Sequence, residues 1–178
     1  GGANAGELAS MAAIQAVKHF LEQNRESDML PERLLDEFLD QLNEKIVAFA
    51  GHRYEWHCIG VEAKLLEVIE DLIHKGYTTF YDGNYGAFDK KCVNAVLELK
   101  HKYPQIKLIR ILTYYHHDKE KYDLPSCFDG SIFPDLEECH YKQKITKRNE
   151  WIVNNCDILG CHIEDTFNSG AYKTVQYA

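Results

Sequence analysis

From residue 45 onward, short apolar runs alternate with longer segments in which apolar residues recur every three or four positions. The short runs are typical of buried strands, and the periodic segments are typical of amphipathic helices. Strands are predicted at 46–50, 77–81, 106–112 and 157–163, with a further short strand at 131–133 inside the long irregular segment 113–143. Helices are predicted at 60–75, around 92–99 with an end before Pro104, at 144–155 and from 170 to 178. Because strands alternating with helices form right-handed βαβ units, we predict an α/β, Rossmann-like three-layer sandwich with a mainly parallel sheet.

Residues 1–44 differ from the rest of the chain. Apolar residues recur at helical spacing around Met11 to Leu21 and again around Leu34 to Leu42, which predicts an N-terminal helical pair. Nine acidic and three basic side chains give this segment a charge of −6, out of −8 for the whole chain. We therefore predict a helical segment at 1–44, whose first residues resemble a vector-derived or flexible end, followed by a Rossmann-like domain at 45–178.

The charge and the cysteine content limit the classes of partner. A net charge of −8 removes the long-range attraction on which most nucleic-acid and anionic-membrane binders depend, so neither partner is favoured. No apolar run is long enough to predict a membrane span. The six cysteines follow no signal peptide and are too sparse for a disulfide-stabilised small fold, which favours free thiols and a cytoplasmic protein.

Three loops follow predicted strands, where ligands bind in open parallel sheets. Gly51, His52 and Arg53 follow the first strand, the segment 82–89 follows the second, and the segment 168–174 follows the last. Gly51 permits close approach of a ligand, Arg53 offers a planar fork for a phosphate or carboxylate, and His52 can donate or accept a hydrogen bond near neutral pH. The alternative is a turn with two solvated side chains.

The second loop contains two glycines on either side of Asn84 and Tyr85. Gly83 and Gly86 give flexible backbone positions and Asn84 tolerates left-handed geometry, so N–H groups could converge there on an oxygen of a ligand. Asp89 lies in the first turn of the next helix, where a structural role in favouring the helix dipole is the common alternative. The chain contains no complete GxGxxG motif.

Taken together, several segments resemble the YpsA-like family of the SLOG superfamily over roughly residues 45 to 178. These segments are 49–53 (FAGHR), 76–80 (GYTTF), 86–89 (GAFD), 124–125 (LP), 128–134 (FDGSIFP), 147–151 (KRNEW), 169–171 (SGA) and 177–178 (YA). The resemblance implies a Rossmann-like fold that binds a nucleotide or a nucleotide-derived small molecule. Some branches of the superfamily sense signalling nucleotides, and others cleave N-glycosidic bonds of nucleotides.

The resemblance also implies site residues. The ligand-facing glycine loop of the family falls on Gly83 and Gly86, its GHR-type segment on 51–53, and its arginine-asparagine pair on Arg148 and Asn149. Three positions depart from the family pattern. Asn84 and Tyr85 replace a glycine and a small residue, Tyr54 replaces a proline, and Ser169-Gly170 replaces a glycine pair. Tyr85 could stack on a base.

Other functions remain open on the sequence alone. A phosphoribohydrolase-like reaction is the main alternative. The glycine-threonine-glutamate spacing of that branch has no counterpart here, and no catalytic residue is assigned. Glu150 is the one candidate acid or base beside Arg148 and Asn149. The second alternative is a protein-interaction module, including a homo-oligomer formed through the N-terminal helices. Histidines and cysteines near 116–118, 139–140 and 156–162 lack zinc-like spacing, so we predict no metal site, and no motif implies a cofactor.

Overall fold

The computed structural model describes Val17 and residues 44–114, 124–163 and 169–178. The chain divides into two units, Gly1–Glu44 and Lys45–Ala178, and the following description concerns the second unit. The predicted N-terminal helical pair lies outside the described residues except for Val17.

Five strands and four α-helices alternate along the described part of the second unit. The strands are β1 (Ile46–Gly51), β2 (Thr79–Asp82), β3 (Lys107–Ile111), β4 (Gly130–Ile132) and β5 (Ile158–His162). The helices are α1 (Glu62–His74), α2 (Ala87–Lys102), α3 (Lys144–Asn154) and α4 (Gly170–Tyr177), with a short 3-10 helix at Glu55–His57. The strands form one sheet in the order β4-β3-β2-β1-β5, and every neighbouring pair is parallel. The predicted α/β, Rossmann-like fold is confirmed.

Both faces of the sheet are covered, which explains why β1 is a continuous apolar run rather than an alternating one. On one face, Val47 and Phe80 pack with the apolar sides of α1 and α2. On the other face, Ala48 and Tyr81 pack with Ile152 of α3. Neighbouring side chains of β1 therefore enter two separate cores, and the three layers follow from this arrangement.

The start of β2 is later than its apolar run predicts. Tyr77 N–H donates to the Leu72 carbonyl at 3.1 Å and closes the end of α1, so the first apolar residues after Gly76 still belong to the helix end. The strand then runs to Asp82, which lies opposite Arg110 of β3. Asp82 is thus the last residue of β2 and not, as predicted, the first residue of the loop 82–89.

The order of the strands determines where a ligand can bind. From β1 the chain moves outward through β2 and β3 to β4, and then returns to place β5 on the other side of β1. β1 leads to α1 and β5 leads to α4, and the strand order reverses its direction between these two neighbouring strands. In doubly wound sheets, ligands bind at this point, outside the carboxyl ends of the strands.

Candidate functional site

A cleft of about 320 Å³ opens at the carboxyl end of β1, between the loop after β2 and the helices α3 and α4. This volume is at the lower end of the range typical of small-molecule sites. Ten of the twelve predicted site residues line the cleft: Gly51, His52, Arg53, Gly83, Tyr85, Asp89, Arg148, Asn149, Ser169 and Gly170. Asn84 and Gly86 do not line it.

Arg148 is the most unusual residue of the cleft because it is a charged side chain that is only 2% exposed. Its Nη1 atom donates to the carbonyl of Gly83 and, at 3.4 Å, to that of Ile111, while Nε donates to Asn149 Oδ1 at 2.9 Å. Within the described residues, no carboxylate forms a salt bridge with it. Burial lowers the pKa of the guanidinium and the nearby Asp89 raises it, but an arginine remains charged at physiological pH. The cleft therefore contains a buried positive charge that forms no salt bridge with a described carboxylate.

A chain of hydrogen bonds connects Arg148 to α4. The Asn149 amide donates to Thr174 Oγ1 at 3.1 Å, and that hydroxyl donates to the Gly170 carbonyl at 2.9 Å. Asn149 consequently orients the guanidinium through Oδ1 and α4 through Nδ2. Both hydrogen-bonding groups of its side chain already have protein partners, so it positions the cleft wall.

Helix α4 begins at the cleft. Ser169 caps it, with its hydroxyl accepting from Tyr172 N–H at 3.0 Å. Gly170 and Ala171 also line the cleft, and a Cβ atom built on Gly170 would meet nothing within 4 Å. The positive end of the α4 dipole thus lies in the same cleft as the Arg148 guanidinium.

The loop after β2 does not offer its N–H groups to a ligand in the way that the glycines suggest. Asn84 N–H donates to Asp82 Oδ1 and Tyr85 N–H to Asp89 Oδ2, both at 2.8 Å. The first N–H groups of α2 donate to carbonyl groups of the first loop, Ala87 to Arg53 and Phe88 to His52. The prediction that N–H groups of this loop converge on a ligand oxygen is therefore wrong for Asn84 and Tyr85, whose N–H groups bond to Asp82 and Asp89. The bonds from Ala87 and Phe88 join the start of α2 to the first loop.

Two of the predicted glycines have packing roles. A Cβ atom on Gly51 would collide with the buried ring of Phe88, so this glycine allows the end of β1 to lie against α2. Gly86 has φ +131, and a Cβ atom there would lie 2.8 Å from the Cα of Arg53. Gly86 is required for the contact between the first and second loops rather than for contact with a ligand.

Aromatic and imidazole rings surround the mouth of the cleft. The exposed Arg53 guanidinium lies 5.1 Å from the centre of the Tyr85 ring, which is 42% exposed. His52 is buried, and its ring stacks on that of His57 at 4.5 Å and lies edge-on to His162 at 5.9 Å. His52 therefore lies at the wall of the cleft within a group of three imidazoles, whereas Arg53 and Tyr85 form its rim.

Asp89 is the one acidic side chain that lines the cleft among the described residues. Burial raises the pKa of its carboxyl group to about 6, assisted by the charge of Asp82, while the Tyr85 N–H bond and Arg148 oppose the rise. A carboxyl group with this pKa exchanges protons near neutral pH. By contrast, Glu150 forms a salt bridge with Lys147 at 2.7 Å and does not line the cleft.

The raised pKa of Asp89 leads to an expected pH dependence of stability. Between pH 4 and pH 6 the folded protein binds this proton more strongly than the unfolded chain, so the free energy of unfolding falls as the pH rises through this window. From the ordinary value of 3.8 to about 6, the loss is at most about 3 kcal/mol at pH 7. Replacing Asp89 with asparagine should remove this loss, because the amide oxygen can still accept the Tyr85 N–H bond.

Urea unfolding of the wild type and of Asp89→Asn at several pH values measures this difference. The variant is expected to be the more stable protein at pH 7, with a difference that disappears near pH 4. Since the other carboxylates are common to both proteins, their contributions cancel. A difference that is independent of pH would contradict the assignment.

The cleft also contains apolar residues that the loops do not predict. Ile145 and Ile152 lie on the same face of α3 as Arg148 and Asn149. Arg148, Asn149 and Ile152 follow Ile145 by three, four and seven positions, which is the spacing of residues on one face of a helix. The sequence therefore already indicated that the two isoleucines lie beside Arg148 and Asn149. Leu65, Ile69 and Leu72 of α1, in contrast, belong to the opposite core.

Within the described residues, no group of three or more histidine, cysteine, aspartate or glutamate side chains is arranged to hold a metal ion. None of the described helices has the length and apolar character needed to cross a membrane. The amino-acid sequence matches no protein-family model, and no curated protein matches it significantly.

Proposed function

We propose that this cleft binds a nucleotide or a nucleotide-derived small molecule through an anionic group held by Arg148. The observation that carries the proposal is the buried guanidinium, which forms no salt bridge with a described carboxylate. Removing a charge from water is unfavourable by several kcal/mol unless an opposite charge or strong hydrogen bonds compensate. Two carbonyl groups, the Asn149 amide oxygen and the nearby charges of Asp89 and Asp82 compensate in part, and the bound anion would supply the rest.

The geometry favours a phosphate over other anions. Arg148 and the start of α4 line the same cleft, so a phosphate between them would accept hydrogen bonds from the guanidinium and from the first N–H groups of the helix. The Tyr85 ring at the rim offers a face on which a base can stack. These features agree with the ligand class that the resemblance to the YpsA-like family implies, and they favour the start of α4 over the start of α2 as the phosphate site.

Thermal unfolding with added AMP, ADP, ADP-ribose or a cyclic dinucleotide tests this function. A ligand that binds only the folded state stabilises it by an amount that grows with concentration, about 2.7 kcal/mol at one hundred times Kd. Stabilisation by at least one of these compounds, absent with the corresponding nucleoside, is the expected result. No stabilisation by any of them at millimolar concentration would reject the proposal.

Gly170→Leu is expected to block the cleft without unfolding the protein. A Cβ atom at this position meets nothing within 4 Å, and because Gly170 lines the cleft, we expect the larger side chain to occupy space next to the proposed phosphate. Leucine also has a higher helix propensity than glycine, so the free energy of unfolding should not fall. We expect nucleotide binding to weaken at least about 100-fold, as occurs when a bulky group occupies a site.

The matched control is Gly170→Ala, which adds one methyl group at the same position. It should bind nucleotide within a few-fold of the wild type and be about 0.5 to 1 kcal/mol more stable. Isothermal titration calorimetry and urea unfolding give the two quantities. Equal binding by the leucine variant and the wild type would place the ligand elsewhere.

Hydrolysis of an N-glycosidic bond is a second candidate because Asp89, with its pKa of about 6, supplies a group that can transfer a proton inside the cleft. The assay is release of free base from nucleoside monophosphates. Turnover in the wild type that falls by at least about 100-fold in Asp89→Asn would support this activity. Stoichiometric binding with no released base would reject it. The third alternative, interaction through residues 1–44, concerns residues outside the described part of the chain.

A further inference from the structure

A second cavity, of about 270 Å³, lies at the carboxyl ends of β2 and β3. It shares four lining residues with the main cleft: Gly83, Tyr85, Ile145 and Arg148. These four residues, called the partition below, border both spaces. Asn84, which does not line the main cleft, lines the second cavity together with residues 110–114.

The guanidinium of Arg148 lies inside this partition. Its Nη1 atom donates to Gly83, which borders both spaces, and to Ile111, which borders only the second cavity. Within the described residues Nη2 donates no hydrogen bond. Thr79 Oγ1 is the one completely buried side-chain polar atom found there without a partner, so Nη2 is not completely enclosed. An anion bound to Arg148 would accordingly sit at the junction of the two spaces.

The second cavity differs in charge from the main cleft. Arg110 is its one further cation among the described lining residues, and Asp82 neutralises it through bonds of 3.0 Å from Nε and 2.9 Å from Nη2. The remaining walls are apolar or neutral: Ile111, Leu112, Thr113 and the exposed ring of Tyr114. The described walls of this cavity are suited to an uncharged sugar or ring, and they provide no further unpaired cation for a second phosphate.

Resting on the proposed function, we propose that the ligand extends on both sides of its anionic centre, with a nucleoside in the main cleft and an uncharged sugar or ring in the second cavity. A phosphodiester or a diphosphate ester has this form, whereas a nucleoside monophosphate or diphosphate ends at the partition. Each cavity alone is small for a nucleotide, but together they match a two-ended compound in size.

The test compares matched pairs that differ only at the second end: ADP with ADP-ribose, UDP with UDP-glucose, and GDP with GDP-mannose. Calorimetry is expected to show that the sugar ester of at least one pair binds at least about tenfold more tightly than its nucleoside diphosphate, the effect of a well-buried additional group. Equal or weaker binding by all three esters would overturn the inference. Binding by the diphosphates in that case would leave the proposed function intact, whereas no binding by any of the six compounds would reject both.

Two variants test whether the additional sugar or ring of the ligand binds in the second cavity. Thr113 does not line the main cleft, and Thr113→Phe places a larger side chain in the second cavity. Tyr114→Ala removes an aromatic ring that lines the same cavity. Because this ring is exposed, its removal should not prevent folding. Each should lower affinity for the sugar ester at least fivefold and leave affinity for the diphosphate unchanged. Gly170→Leu should weaken both. If both variants of the second cavity leave the advantage of the ester unchanged, the inference is wrong.

Discussion

Replacing Arg148 with glutamine is expected to abolish nucleotide binding at concentrations that saturate the wild type. The substitution removes the buried charge and the fork that would hold a phosphate, and hydrogen bonds to a charged partner are worth about 1.5 to 3 kcal/mol each. Loss of two of them corresponds to at least roughly 100-fold weaker binding. Calorimetry with the tightest ligand of the wild type measures the effect.

The same substitution is expected to change the free energy of unfolding by no more than about 2 kcal/mol, because two effects oppose each other. Gly83 and Ile111 lose a charged donor, but a glutamine amide can restore one bond, and the unfavourable burial of an arginine without a salt bridge is removed. Urea unfolding separates this small effect on stability from the large effect on binding.

Lys147→Gln is the matched control. It removes the same charge from the neighbouring residue of α3, whose ammonium group pairs with Glu150 on the surface. Binding should change by less than threefold, since an exposed charge outside the cleft is screened by salt. Equal losses in the two variants would show that overall charge, and not the buried guanidinium, attracts the ligand.

Gly86→Ala is expected to lower stability by about 3 kcal/mol or more, although a single methyl group is added. The residue has φ +131, which an L-alanine adopts only with strain, and its Cβ atom would lie 2.8 Å from Arg53 Cα and 3.3 Å from the His52 carbonyl oxygen. Because backbone atoms are on the other side of the contact, no rotation of a side chain relieves it. The two loops must separate.

Separation of the loops would have a specific signature. The hydrogen bonds from Ala87 and Phe88 to the carbonyl groups of Arg53 and His52 would break, so the amide protons of the first turn of α2 should exchange with solvent faster than in the wild type. The control is Gly60→Ala, at another glycine with positive φ (+77) where a Cβ atom meets nothing within 4 Å. It is expected to cost only about 1 kcal/mol from backbone strain. Equal losses at Gly60 and Gly86 would mean that contact with the first loop is unimportant.

Much of the fold can be predicted from the sequence because its signals are local. Each strand of the described sheet apart from β4 coincides with a short apolar run, and each helix with a periodic one, so the alternation of elements and the parallel sheet follow directly. The short β4 was predicted one residue late, at 131–133 instead of Gly130–Ile132. In a parallel sheet all strands end at one edge. Residues that directly follow the predicted strands could therefore be expected to gather at the cleft.

The roles of those residues are not local properties, and the sequence does not determine them. Whether an N–H group is free depends on which carbonyl group another loop brings near it, and the carbonyl groups of His52 and Arg53 occupy the start of α2. The glycines therefore indicated a loop, but the N–H groups of Asn84 and Tyr85 within it bond to Asp82 and Asp89. The start of α4, where Gly170 faces open space, takes the place of that loop as the candidate phosphate site.

The pattern of apolar residues was sufficient to predict the α/β fold and the gathering of the segments near Gly51, Gly83 and Ser169 at one edge of the sheet, whereas Arg148 and Asn149 were expected there only from the resemblance to the YpsA-like family. Tertiary packing decides that Arg148 is buried, that it forms no salt bridge with a described carboxylate, and that it borders two cavities. The physical reason is distance along the chain. Gly83 lies 65 residues from Arg148 and Ile111 lies 37 residues away, and only the packing of α3 across the sheet brings their carbonyl groups to the guanidinium.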